Sequence, residues 1–483
     1  MKPCDTNPLV LSIIHPLSDF CKKFSASNRE KTAKSGYIIP MMKTNAAKKP
    51  LSPEKNRALL RLADEAARKV LSAGFGRKQP ADRVLAGYFR ENRRCGARDR
   101  AFISETVYAL LRFWGFLRRF LPDDRREELE HGAIRLTATE LSALLMAGAF
   151  INGDTETAEM IAATAELDRL PRSLRNPTAR ANQMAEYFGC SVKLSDGELL
   201  PDWVKELLPE DLDTDKFLRL LTVRPPMWLR MQGGDLQTVA AEMSAHGETV
   251  FEPHPKLADA VSVRTKVNLF TLESYRNGKF EIQDLASQCV GHIADPRPGE
   301  RWLDPCAGAG GKTLHLAQLM RRRGTVVASD VRTSKLEDLR RRARRAGFPN
   351  IVTRAEVRRD RMQFDGILID APCSCSGVWR RNPGAQWKLE SEDIDELAAV
   401  QFGILERFAP ALRQGGVLVY ATCSLFDAEN KSVVRKFLDA HPEFKLDPFP
   451  HPLTGAVMPG MVRIDSADGD CDALFVAKMR KVK

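Results

Sequence analysis

The chain has 483 residues, 43% of them hydrophobic and 28% charged, with a formal net charge of +11. It is too long for one ordinary hydrophobic core, so two or three domains are expected. No run approaches the roughly 18 consecutive apolar residues of a membrane span, and the excess of positive charge favours a polyanionic partner such as nucleic acid. The early apolar stretch Leu9–Ile14 is too short for a signal-peptide core and is followed by His15 and Pro16, so a cytoplasmic protein with no membrane partner is expected. The ten cysteines are scattered, and a chain of this size needs no disulfide staples, so clustered ones call for a chemical explanation.

Residues 1–50 mix Lys, Ser, Asn and Pro without a sustained period and read as a disordered tail. Ser52 and Pro53 mark a helix start, and Leu59, Leu62, Ala63, Ala66 and Val70 then recur at helical spacing. A second helix is predicted over 82–91. A third follows Asp99, with Phe102, Val107, Leu110, Leu111 and Trp114 on its buried side. Helical patterns continue through 141–150 and 155–165, so 51–200 reads as an all-α domain. Arg93, Arg94, Arg98, Arg100, Arg112, Arg118 and Arg119 are expected on its surface. Solvated helix faces account for any one of them; together they suit a phosphate-contacting surface. From 201 to 280 the pattern changes: β-prone pieces at Met227–Met231 and Ala260–Arg264 flank a helix near 236–246. This predicts a small α/β, RRM-like connecting segment.

Over 281–483 strands and helices alternate. Strands are predicted at 302–305, 325–330, 364–370 and 416–422, and helices at 313–323, 334–346, 394–412 and 429–440. Such alternation means an α/β Rossmann-like domain with a doubly wound, mostly parallel sheet. Ligands on such sheets bind at the carboxyl ends of the strands.

The loop from Asp304 to Thr313 (Asp-Pro-Cys-Ala-Gly-Ala-Gly-Gly-Lys-Thr) joins the first strand to its helix. Its small residues let the backbone approach a ligand closely, and the helix start offers free N–H groups. It is neither a phosphate-binding loop, which would need Gly where Cys306 stands, nor a dinucleotide fingerprint, whose last Gly is replaced by Thr313. Asp330 ends the next strand, where an acidic residue can accept hydrogen bonds from both hydroxyls of a ribose; a helix cap is the plainer role for it.

Two further strand ends carry cysteines: Asp370-Ala-Pro-Cys-Ser-Cys-Ser-Gly377 and Ala421-Thr-Cys-Ser424. Either cysteine alone reads as a small buried hydrophobe. Cys373 and Cys375 lack the Cys-x2-Cys spacing of a zinc site, and no second pair matches them. Beside a nucleoside-binding loop, however, two strand-end cysteines suit base chemistry. Carbon 5 of cytosine is a poor nucleophile until a thiolate adds at carbon 6 and makes it enamine-like. An acid near ring nitrogen 3 assists that addition; Asp370 can supply it, with Lys312 positioning the carboxyl group.

These pieces, with Gln283-Asp284, Arg380–Pro383, Gly415-Gly416 and Glu429-Asn430, resemble the Fmu/Sun class of RNA cytosine-5 methyltransferases over roughly 217–483. The resemblance implies that Cys423 is the nucleophile and that Cys373 assists breakdown of the covalent adduct. It implies that Asp370 holds the cytosine edge, lying near the cofactor. Cys306, Ala307, Gly308, Ala309, Gly310, Gly311 and Lys312 wrap the methionine part of S-adenosylmethionine on this reading, and Asp330 binds its ribose. No metal is implied. The Asp99–Arg112 stretch is similar to the NusB-like RNA-binding domain of bacterial ribosomal RNA members. The chain departs from the family at Ala355-Glu356, where Gly-Asp is usual; Glu356 is expected to meet the adenine side of the cofactor. It departs again at Cys375, in place of a small non-cysteine residue. The segment between Glu356 and Phe364 is Arg-rich. The expected substrate is ribosomal RNA, with transfer RNA second, acted on by a monomer. A binding-only factor on the same scaffold would not need the cysteine pair, and a DNA methyltransferase would attack with the Pro-Cys cysteine.

Overall fold

A computed structural model describes residues 52–77, 79–130, 136–357 and 363–482. The tail expected over 1–50 and residues 358–362 of the Arg-rich segment lie outside them. Among the described residues no helix is long and apolar enough to cross a membrane.

The first part is helical: α1 (Pro53–Arg77), α2 (Ala81–Glu91), α3 (Ala97–Arg112), the short α4 (Trp114–Leu117), α5 (Asp123–Glu130), α6 (Ala138–Asn152), α7 (Thr155–Thr164), α8 (Pro177–Tyr187), α9 (Asp202–Leu207) and α10 (Thr214–Leu221). Local signals set the boundaries. Thr137 and Glu140 form a reciprocal capping box at the start of α6, and Gly153, at φ 86°, ends it. Asn176 caps α8, with Pro177 as its first residue. Helices α3 and α6 cross at the core, where Ile103, Val107, Leu110, Leu141, Leu145 and Phe150 are fully or nearly fully buried. Phe102 is only half-buried, and Trp114 belongs to α4 rather than to α3.

This core does not close on itself. Trp379, Leu389, Ile394 and Phe426, from the C-terminal half, belong to the same apolar cluster. The fold corrects the expected basic surface. Arg93, Arg94 and Arg98 are exposed, but Arg100, Arg112, Arg118 and Arg119 are half-buried. Arg112 donates to the Leu221 carbonyl at 3.3 Å, and Arg118 lies 4.7 Å over the Trp387 ring. Charge alone could not reveal this, because a long stem that packs and a head that binds phosphate look alike in sequence.

Next comes a four-stranded antiparallel sheet in the order β2-β3-β1-β4, made of β1 (Met227–Met231), β2 (Thr249–Pro253), β3 (Ala260–Thr265) and β4 (Phe280–Ile282). Helix α11 (Leu236–His246) joins β1 to β2, and α12 (Glu273–Arg276) precedes β4. Strands β2 and β4 escaped the sequence reading. The first is a largely exposed edge without a buried alternation, and the second is only three residues long.

The last part holds α13 (Leu285–Ala294), β5 (Arg301–Asp304), α14 (Gly311–Leu319), β6 (Thr325–Ala328), α15 (Thr333–Ala346), β7 (Ile351–Thr353), β8 (Phe364–Asp370), α16 (Ser391–Phe408), β9 (Leu412–Thr422), α17 (Lys431–Ala440), β10 (Phe444–Leu446), β11 (Phe449–Pro450), β12 (Val457–Met458), β13 (Met461–Ile464) and β14 (Leu474–Lys481). Strands β9-β8-β5-β6-β7 run parallel. Beyond β9 the sheet continues with antiparallel β14, which pairs with both β10 and β13. Side chains alternate across it as the pleat requires. Trp302, Leu368 and Val419 pack with α13, α14 and α15, whereas Leu303, Ile367, Ile369, Leu418 and Tyr420 pack with α16 and α17. Helices therefore cover both faces, as the doubly wound expectation requires. The chain runs outward from β5 to β7, then returns to β8 on the other side of β5. The switch point, where ligands bind in such sheets, lies at the carboxyl ends of β5 and β8.

A buried polar seam fixes the small sheet to this domain. The fully buried Arg230 of β1 donates to Gln283 Oε1 at 2.6 Å, Gln232 Oε1 at 3.0 Å and Gln318 Oε1. Glu281 of β4 is 3% exposed and accepts from Arg342 at 2.8 Å and from Arg345. Arg342 also donates to the Ala309 carbonyl at 2.7 Å, in the glycine-rich loop. Removing one member of such a buried set leaves uncompensated charge. Glu281→Ala is therefore expected to cost about 3–5 kcal/mol in urea unfolding; a loss below about 1 kcal/mol, the level of a surface ion pair, would contradict the seam's role.

Candidate active site

The loop between β5 and α14 is shaped by its glycines. Gly308 (φ 52°) and Gly310 (φ 90°) take left-handed conformations that few other residues adopt. A Cβ on Gly308 or Gly311 would meet nothing within 4 Å, whereas one on Gly310 would strike Leu339 at 2.6 Å. The loop thus packs against α15 on one side and leaves backbone open on the other. Its base is pinned by hydrogen bonds from Ala307 N to Ser329 O at 2.9 Å and from Gly308 N to Asp330 Oδ2 at 2.8 Å. Asp304 lies beneath, fully buried, accepting from the Thr313 hydroxyl at 2.6 Å. Burial pushes its carboxyl up to about 7.

Asp330 is a local organiser as well as a strand end. Besides Gly308, it accepts from the Arg332 backbone N–H at 2.9 Å and from the Arg332 side chain at 3.0 and 3.3 Å. Arg332 was not foreseen, because nothing in a turn arginine's sequence context signals that it folds back two residues. Glu356 is exposed beyond β7, and no hydrogen bond or ion pair joins it to the loop, to Asp330 or to the cysteines among the described residues.

Four predicted residues converge at the ends of β8 and β9. The Sγ atoms of Cys373 and Cys423 are 3.3 Å apart, and Lys312 Nζ lies 2.8 Å from Asp370 Oδ2. Burial pulls the Lys312 ammonium down, but the Asp370 carboxylate outweighs it and holds the group above its ordinary value. The Cys423 thiol sits well above the usual thiol range: the contact with Cys373 works downward, but the Cys375 contact and burial prevail. Cys373 is raised in the same way, its Cys375 contact lowering it and its Cys423 contact and burial raising it. Cys375 adopts φ 58°, unusual for a side chain with a Cβ, and directs its sulfur at the Cys373 carbonyl, 3.4 Å away. The Cys306 thiol is driven up chiefly by burial.

A deeper layer holds the two cysteine loops in register. Fully buried Glu429 accepts from Ser374 N at 2.9 Å, from Gln401 Nε2 at 2.8 Å and from the Ser424 hydroxyl. Ser374 Oγ donates to Ser424 Oγ at 3.0 Å, and Leu425 N donates to Ser376 Oγ at 2.7 Å. Gly377 N donates to the Cys423 carbonyl at 2.9 Å. The Arg380–Pro383 motif works alongside: Arg381 reaches Asp284 at 2.5 Å and Asp472 at 2.6 Å, clamping the turn to the start of α13. Glu429 stood within a recognised motif, so its sequence signal existed; Gln401, in mid-helix, had none.

Gly377 has no room for a side chain, since a Cβ would lie 2.1 Å from the Ala473 carbonyl and 3.0 Å from that of Cys423. Gly377→Ala is expected to cost about 1–3 kcal/mol of stability and to slow diamide cross-linking of Cys373 to Cys423. Unchanged stability and cross-linking would mean that this contact does not set the sulfur spacing.

Comparison with known proteins follows this geometry. Residues 292–480 match the family described as 16S rRNA methyltransferase RsmB/F. Ribosomal RNA small subunit methyltransferase B of Yersinia pestis bv. Antiqua (strain Angola) is 34% identical over 310 residues, spanning 62% of this chain and 70% of that protein. The same-named protein of Yersinia pseudotuberculosis serotype O:1b (strain IP 31758) gives the same values. Among solved structures, that of PH0851 covers 90% of this chain and 100% of its own, with a TM-score of 0.67 at 22% identity. NSun6 from Pyrococcus horikoshii with SFG covers 58% of this chain and 97% of its own, with a TM-score of 0.50 at 19% identity. At those identities the structures speak for the fold alone. The sequence matches reach further, and the chain belongs to the RsmB/F family of RNA methyltransferases.

Proposed function

We propose that this protein methylates carbon 5 of a cytosine in ribosomal RNA, using S-adenosylmethionine and a covalent link between Cys423 and the base. The observation that carries the reading is the 3.3 Å approach of Cys373 and Cys423, beside the Lys312–Asp370 pair and the open glycine loop. Two adjacent sulfurs, a lysine–carboxylate pair and exposed backbone at a sheet switch point match what the reaction needs.

The open sides of Gly308 and Gly311 fit a ligand laid along the backbone, and Asp330 fits a ribose once Arg332 shares or yields its carboxylate. Bound there, S-adenosylmethionine supplies an electrophilic methyl group. Cys423 adds to carbon 6 as its thiol proton passes, by way of the Asp370 carboxylate that Lys312 holds, to ring nitrogen 3, which takes up the electron pair displaced from the ring. Carbon 5 then forms its bond to the methyl carbon as the methyl–sulfur bond of the donor breaks. The carbon 5 proton then passes to water, its bonding pair restores the carbon 5–carbon 6 double bond as the Cys423 thiolate leaves, and ring nitrogen 3 returns its proton through Asp370; Cys373, the sulfur beside Cys423, assists that release. RNA must present the base unstacked. The exposed Arg93, Arg94 and Arg98 of the helical domain, which we read as NusB-like, suit phosphate contacts. A cytoplasmic location, and action as a monomer, belong to the same reading.

The test is methyl transfer from labelled S-adenosylmethionine to unmodified ribosomal and transfer RNA, followed by nucleoside analysis. Label is expected in 5-methylcytidine of ribosomal RNA and lost in Cys423→Ala, while Cys373→Ala accumulates a protein–RNA adduct stable in denaturing gels. Turnover surviving in Cys423→Ala would overturn the nucleophile assignment. The pH dependence follows from the raised thiol: the reactive thiolate is the minor form below its pKa, so kcat/KM for RNA should keep climbing from about pH 6.5 to 9. A plateau beginning below about pH 7.5 would show that another group limits the step.

A further inference from the structure

Far from the cysteines in sequence, three side chains meet where the small sheet, α13 and α14 join: Asp259, in the turn leading into β3, His292 of α13 and His315 of α14. One ligand-type atom from each lies within 4.8 Å of the other two. His292 Nε2 is 3.4 Å from Asp259 Oδ1, and His315 Nε2 is 3.7 Å from Asp259 Oδ2. The rings stand edge to face, with centroids 5.0 Å apart.

These separations are too long for good hydrogen bonds. Neither ring nitrogen of His315, nor Nε2 of His292, makes a hydrogen bond among the described residues. His315 is nonetheless completely buried, a costly place for an imidazole whose polar atoms are unmet. The two separations, one to each Asp259 oxygen, come near another geometry. Tetrahedral ligands held at about 2.0–2.1 Å from a zinc ion stand roughly 3.4 Å from one another. Asp259 and His292 keep 20% and 25% side-chain exposure, which leaves one side open for a fourth, water ligand.

The surroundings are built around these donors. Gly291 makes room for the His315 ring, since a Cβ there would lie 2.3 Å from Nδ1; the other end of the ring faces Asp259. Gln318 donates to the Met231 carbonyl at 2.8 Å, which places the same amide nitrogen 3.4 Å from Asp259 Oδ2. That is the kind of outer partner that orients a ligating carboxylate. Arg230 is occupied by Gln232, Gln283 and Gln318.

We propose that Asp259, His292 and His315 form a binding site for a divalent transition metal ion of the zinc type, separate from the methylation site, which clips the small sheet to α13 and α14. Two imidazoles and one carboxylate select zinc, cobalt or nickel over magnesium, which prefers an all-oxygen octahedron. Because α14 begins with Gly311 and Lys312, the clip also steadies the helix that carries the active-site lysine.

The test uses the full chain, freed of metal with a chelator and titrated with Co(II). The three clustered sulfurs offer a rival site, so Cys373→Ser/Cys375→Ser/Cys423→Ser serves as the background. That variant is expected to bind a single Co(II) with visible d–d bands and no thiolate charge-transfer band, to exchange it for Zn(II) and not for Mg(II), and to unfold at higher temperature when Zn(II) is present. Adding His292→Ala, or separately the shape-preserving Asp259→Asn, should weaken Co(II) binding at least about tenfold and remove the Zn(II)-dependent thermal shift. Failure of the triple-serine variant to bind either ion, or binding left unchanged by both substitutions, would overturn the site.

Discussion

The carboxylate of Glu429 is the constraint on which the reactive geometry depends. Two loops leave neighbouring strands, and nothing in β8–β9 pairing alone would bring their cysteines into contact. Glu429 takes the Ser374 N–H from one loop and the Ser424 hydroxyl from the other, with Gln401 fixing the carboxylate from α16. Burial pushes Glu429 upward, against the hydrogen bonds that stabilise its charged form. A buried acceptor of this strength is expensive to leave unmet, so satisfying it dictates where both loops go. The 3.3 Å sulfur contact is the consequence.

A second buried set performs the same task on the side of the glycine loop. Arg342 holds both Glu281, in the small sheet, and the Ala309 carbonyl, in the glycine loop. The helical domain is joined just as firmly, since its core includes Trp379 and Phe426, which flank the two cysteine loops in sequence. The helical domain and the two cysteine loops therefore share one mechanical frame.

Much of this was legible in the sequence. Strand β8 stands at Phe364–Asp370, as its apolar run predicts, and Lys312, Asp370, Cys373 and Cys423 meet because parallel strands send their loops to one edge. Local patterns carried these results: alternation, a glycine-rich turn, a residue pair at a strand end. What escaped depends on partners distant in the chain. Strands β2 and β4 are defined by pairing with β3 and β1, not by their own composition. Arg112 turns inward to the Leu221 carbonyl of α10, and Arg118 to the Trp387 ring of the C-terminal half. His292 and His315 each look like an ordinary helix residue until the turn at Asp259 is folded beside them. Glu356, placed by analogy beside the adenine, stands exposed beyond β7.

The central claim is that Cys423, and not its neighbour Cys373, forms the bond to the base. RNA carrying 5-fluorocytosine tests this most directly, because carbon 5 then has no proton to lose and the adduct cannot break down. Incubated with S-adenosylmethionine and digested, the trapped protein should yield the RNA fragment attached to the peptide containing Cys423, and Cys423→Ala should yield no adduct. Attachment at Cys373 would contradict the account.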